Sequence, residues 1–201
     1  MNKIALAAIL MTASAVVATP ASAQNVAGTV NVTGTVAARC SVIESGLEKT
    51  SFTGTIDLGR LDAANGTLRP ELTSATSTAP ANAKKVTARV VCTSSNPTIG
   101  ISATKLAIAG AGAAGTGYAN SIDYVAALRV NTASTTLPVA EVKFDTQTNS
   151  AAVTAQLGSR IAGGTTDNVE VNVSNLRTAA GSVLNQGTYA SIISLSITPT
   201  L

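Results

Sequence analysis

The chain has no histidine and no tryptophan, and only two cysteines, three tyrosines and two phenylalanines among its 201 residues. Each scarcity removes a class of chemistry. Without histidine there is no Ser-His-Asp or Cys-His nucleophile, no histidine-ligated zinc and no imidazole acid or base. Neither C-x-x-C nor G-x-S-x-G occurs, so a dithiol redox site and the hydrolase nucleophile elbow are also missing. The few rings (Phe52, Tyr118, Tyr124, Phe144, Tyr189) give little surface for stacking sugars. Charge is sparse, at 11% of residues, and Lys84-Lys85 is the only adjacent basic pair, which argues against a nucleic-acid partner. Carboxylates are scattered singly, without D-x-D spacing, and point to neither calcium nor paired acid and base.

The first 23 residues read as a secretory signal. Lys3 is the positive start, Ile4 to Val17 is an apolar run, and Ala21-Ser22-Ala23 is an A-x-A cleavage site. The expected mature chain begins at Gln24 and has 178 residues with 12 basic and 10 acidic side chains. No later apolar run is long enough to span a bilayer. The length suits one domain with a real core. In an oxidising compartment the pair Cys40 and Cys92 reads as one disulfide closing a 52-residue loop.

Short runs rich in Val, Ile and Thr recur over 28–37, 55–59, 86–92, 98–108, 122–130, 138–144, 151–157, 168–174 and 188–198. Turn signals fall at Asn65-Gly66, Asn96-Pro97, Gly163-Gly164 and Gln186-Gly187. Residues 71–83 and 109–117 read as loops, and no stretch after residue 23 keeps a 3.6 period. Many short strands at short spacing predict an all-β sandwich. Two letter matches fail on context. Gly110-Ala111-Gly112-Ala113-Ala114-Gly115 fits G-x-G-x-x-G, but Thr116-Gly117-Tyr118 opens no helix. Ser102-Ala103-Thr104-Lys105 fits S-x-x-K, but it lies in a strand-like run and K-T-G is absent.

The most informative stretch is 25–40. Val26, Gly28, Val30, Val32, Gly34 and Val36 alternate with Ala27, Thr29, Asn31, Thr33 and Thr35, the period of a strand with one apolar face. Such a strand pairs either with its own sheet or with the open edge of another subunit. It runs into Cys40, and Ile56-Asp57-Leu58-Gly59 follows. Cys92 then precedes Asn96-Pro97, and Gly187-x-Tyr189 opens a last alternating run in which Tyr189, Ile193, Leu195 and Ile197 share a face broken only at Ser191. This ordered set resembles the subunits of chaperone–usher pili, including the spore coat protein U-like, archaic-type pilins, over most of the mature chain.

The resemblance implies an incomplete immunoglobulin-like sandwich whose missing strand leaves an apolar groove. Residues 24–38 would be a donor-strand extension and 39–201 the pilin-like domain. A periplasmic chaperone would fill the groove first. At an outer-membrane usher, the extension of the next copy or a sibling pilin would replace it, giving a head-to-tail fimbrium on the cell surface that supports adhesion or biofilm formation. Val30 and Val32 would fill the groove, Val26 and Val36 would extend that face, and Gly28 and Gly34 would sit where it is shallow. Tyr189, Ile193, Leu195 and Ile197 would line the acceptor groove and meet the chaperone. Cys40–Cys92 would staple the first strand to its neighbour. The family's C-terminus ends on its alternating strand, often with an aromatic near the end. Here Pro199 interrupts that strand and the lining is aliphatic. The pattern implies no enzyme, no cofactor and no metal. The alternative reading is a self-complete exported β-sandwich binding a carbohydrate or surface polymer, with 26–36 as its ordinary first strand.

Overall fold

A computed structural model describes residues 28–73 and 85–200. The chain divides into two compact units, residues 1–35 and 36–201. In the first unit the described residues, 28–35, belong to no strand, and Val30 and Val32 are 86% and 92% exposed. Val36, which opens the second unit, is equally open to solvent. The strand expected over 28–37 therefore makes no ladder among the described residues, although its alternation is that of a strand. Val26 lies outside them.

The second unit is an all-β sandwich. Its strands are β1 (Cys40–Glu44), β2 (Leu47–Lys49), β3 (Lys85–Ala88), β4 (Val90–Cys92), β5 (Thr98–Ala103), β6 (Leu106–Ile108), β7 (Tyr118–Ala119), β8 (Ser121–Asn131), β9 (Val139–Asp145), β10 (Val153–Gln156), β11 (Val169–Arg177), β12 (Val183–Leu184), β13 (Tyr189–Ala190) and β14 (Ile193–Thr198). The largest sheet runs β13-β6-β8-β11-β3, with β9 also paired to β8. Two three-stranded sheets, β10-β5-β14 and β2-β1-β4, and the parallel pair β12-β7 complete the unit. Among the described residues a single 3-10 turn, Pro70–Leu72, interrupts the strands.

The alternation of β8 shows why this sequence makes a sheet. Ile122, Tyr124, Ala126, Leu128 and Val130 all turn inward and are buried. Antiparallel register extends each into a row across the inner face. Val142, Leu128, Val171 and Val86 form one row, and Phe144, Ala126 and Val173 another. The opposite face carries charge in the same order. Arg129 faces Glu141 and Glu170, each at 3.8 Å, while Lys85 pairs with Glu170 at 2.7 Å. One face is thus held by burial and the other kept in water by alternating sign. Ile99 and Ile101 of β5, 0% and 1% exposed, close the core where β5 packs on β8 and β9.

Residues 85–92 read as one strand in sequence but serve two sheets. β3 pairs with β11, the chain breaks at Arg89, and β4 pairs with β1. Cys40 and Cys92 stand directly opposite in that second ladder and are disulfide-bonded. The two cysteines tie the first strand of the sandwich to its neighbour, as the sequence leads one to expect.

Candidate functional site

A groove of about 740 Å³ opens between two walls of the sandwich. Its floor is the inner face of the large sheet, with Leu128, Val169 and Val171 at its centre. Cys40, Val42 and Val90, from β1 and β4, form one wall. The opposite wall is the C-terminal strand, where Ile193, Leu195 and Ile197 turn inward, with Tyr189 of β13 before them. The structure therefore brings all four C-terminal groove residues named from the sequence to one site.

The wall formed by β14 also has a main-chain character. Among the described residues its one strand neighbour is β5. Thr104 N–H donates to the Ile192 carbonyl at 3.0 Å, which fixes which residues face β5. On the far side of β5, Leu157 N–H donates to the Pro97 carbonyl at 3.0 Å, as the same alternation requires. Ser194, Ser196 and Thr198 therefore bond to β5. Ile193, Leu195 and Ile197 turn both their side chains and their N–H and C=O groups to the groove side. An apolar row and a row of main-chain donors and acceptors lie along one edge, the arrangement that receives an added strand.

Electrostatics point the same way. The described lining of the groove includes no Asp, Glu, Lys or Arg. An apolar occupant meets no charged side chain along that described lining. Burial raises the Tyr124 hydroxyl above its ordinary pKa, opposed by its hydrogen bond with Ser191. Burial also raises Tyr189, whose hydroxyl lies 2.9 Å and 3.0 Å from the Ala119 and Asn185 carbonyls. Both phenols stay neutral and act as anchors.

Ser191 breaks the apolar face for a local reason. Its hydroxyl meets that of Tyr124 and lies 2.8 Å from the Thr104 carbonyl, so it pins the turn between β13 and β14. Pro199 falls just past β14. The next residue is caught by the 94–96 turn: Thr200 N–H donates to Ser94 Oγ at 3.1 Å, and Ser94 Oγ lies 2.7 Å from the Thr200 carbonyl. Pro199 therefore costs the β14–β5 ladder no hydrogen bond.

Sequence reasoning missed a second contributor to the groove, residues 50–58. It read 55–59 as a strand, but this segment pairs with no strand among the described residues and instead lies along the groove. The two letter motifs form no site. Ser102 lies within β5, and Lys105 pairs with Asp123 at 3.1 Å. Residues 110–115 connect β6 to β7 without a helix. Among the described residues no group of acidic or cysteine side chains could hold a metal, and no helix is long and apolar enough to cross a membrane.

No protein-family model, curated protein or solved structure matches this chain.

Proposed function

We infer that the chain is a structural subunit of a bacterial surface pilus, polymerised when residues 26–36 of one copy enter the groove beside β14 of the next. The observation that carries this reading is complementarity. The groove is apolar, free of charge along its described lining, and edged by the main-chain groups of Ile193, Leu195 and Ile197. The sequence supplies a matching segment in which Val30 and Val32 are open to solvent. An incoming strand satisfies the edge through its backbone, and its alternate side chains fix the register. The contact is heterologous and does not close, so it builds a filament. The signal-like start and the disulfide suit export through the periplasm. There a chaperone strand would hold the groove until an usher exchanges it for the extension of another copy or a sibling pilin. The assembled fimbrium serves adhesion or biofilm formation.

The test is a pair of substitutions, Val30→Asp with Val32→Asp. The wild-type chain is expected to form polymers that survive detergent until heated. The doubly substituted chain is expected to keep its β circular dichroism and form none. If the substitutions unfold the subunit, residues 26–36 belong to its own core and the reading fails.

A further inference from the structure

Part of the groove's lining, residues 52–58, repeats the pattern of the N-terminal segment. Residues 52–58 read Phe-Thr-Gly-Thr-Ile-Asp-Leu, and residues 26–32 read Val-Ala-Gly-Thr-Val-Asn-Val. At six of the seven positions both agree in kind: an aliphatic or aromatic start, a Gly-Thr pair, a β-branched aliphatic, Asn or Asp, and an aliphatic end, with Thr53 against Ala27 the exception. The structure gives 52–58 the same alternation in space. Phe52, Ile56 and Leu58 are half-buried, while Thr53, Thr55 and Asp57 are exposed. Residues 52–56 and Leu58 all line the groove, and of these Ile56 and Leu58 pack against the core. Gly54 lies so close over Val86 that a Cβ there would come within 2.5 Å of Val86 Cγ1. A glycine is needed at that crossing, and the 26–32 segment has one, Gly28, at the matching place. Asp57 Oδ1 then accepts from Gly59 N–H at 2.8 Å, which turns the chain out of the groove.

What 52–58 lacks is a ladder. It offers side chains to the groove, yet among the described residues no strand pairs with it, and Ile193, Leu195 and Ile197 keep their outward main-chain groups turned away from β5.

We propose that residues 52–58 are a built-in placeholder, a copy of the donor pattern that covers part of the groove and gives way when residues 26–32 of a second copy arrive. This rests on the donor-strand reading above. The incoming segment brings side chains of the same shape and adds main-chain hydrogen bonds along β14, so it wins the exchange without a larger apolar surface. The placeholder meanwhile covers the apolar floor residue Val86, over which Gly54 lies.

Because the chain has no tryptophan, Phe52→Trp places a single reporter in the segment. The probe is a fluorescein-labelled peptide of residues 24–38, added to the full mature chain carrying Phe52→Trp. Val30→Asp and Val32→Asp are included to silence its own extension. Peptide anisotropy is expected to rise while the tryptophan emission shifts to the red in step, and a peptide with Val32→Asp is expected to do neither. A second measurement keeps Phe52: chymotrypsin cleavage after it should accelerate about tenfold as the peptide binds, since the segment is released into water. If the peptide binds while emission and cleavage stay unchanged, the placeholder is wrong and the donor-strand reading stands. If the peptide does not bind, both fall together.

Discussion

The side-chain amide of Asn168 is hydrogen-bonded to both main-chain polar groups of Val90. Val90 N–H donates to Oδ1 at 2.8 Å, and Nδ2 donates back to the Val90 carbonyl at 2.8 Å. The same nitrogen also reaches the Ala162 carbonyl at 2.9 Å. Val90 is the residue at which the chain, having left β11 at Ala88, starts its second ladder against β1. At that step the side chain of Asn168 does the work of a missing strand. Its own main chain continues the β11 ladder, with Asn168 N–H donating to the Ala88 carbonyl at 3.1 Å.

Removing this clip leaves buried main-chain groups without partners. Asn168→Ala is expected to cost about 3 kcal/mol, the range for stranding two or three such groups. Asn168→Asp is expected to cost a similar amount, because it keeps the acceptor for Val90 N–H and loses both donated bonds. Urea midpoints of the two variants against wild type check this. A loss under about 0.5 kcal/mol for Asn168→Ala would mean that water replaces the amide.

The Cys40–Cys92 bond closes a 52-residue loop and joins directly opposed residues of β1 and β4. Chain entropy sets its contribution at about 4 kcal/mol. The paired substitutions Cys40→Ser and Cys92→Ser are expected to lower the unfolding free energy by roughly that amount. A reducing agent is expected to do the same to the wild type and nothing to the variant, read from urea titrations with and without it.

The outer face of the large sheet gives a pH dependence with a definite sign. The hydrogen bond from Lys85 holds the Glu170 carboxyl below its ordinary value, with a smaller contribution from Asn172. A carboxylate depressed in the folded state contributes stability that is fully present above the ordinary glutamate value of about 4.3. That stability is lost as the pH falls through the lower folded value. Glu170→Gln is therefore expected to flatten the acid limb of a plot of urea midpoint against pH below about 4.3, and to leave its slope near neutrality unchanged. An acid limb identical to wild type would place the sensitivity elsewhere.

The all-β class and the inward row of β8 were legible because Ile122, Tyr124, Ala126, Leu128 and Val130 fall on every second position, with Ala127 the one buried residue between them. The C-terminal wall was legible for the same reason at Ile193, Leu195 and Ile197. What local pattern could not supply were partners far along the chain. Residues 86–92 look like one strand because the group that splits them, the Asn168 amide, lies 78 positions from Val90. Residues 188–198 look continuous because the hydroxyl that meets Ser191 belongs to Tyr124, 67 positions away. Residues 28–37 and 55–59 carry a strand's alternation, yet neither run pairs with a strand among the described residues. Period 2 reports which side chains seek an apolar face. It does not say whose face that is.

Hydrogen exchange at Ile193, Leu195 and Ile197 tests the central claim most directly. Their amides face the groove and leave β5 to Ser194, Ser196 and Thr198. In polymers of the wild-type chain they are expected to exchange at least about 100-fold more slowly than in the Val30→Asp, Val32→Asp chain, because the extension of the next subunit bonds to them. Ser196, already bonded to β5, is expected to change far less. Equal exchange at the three amides in both samples would contradict the account.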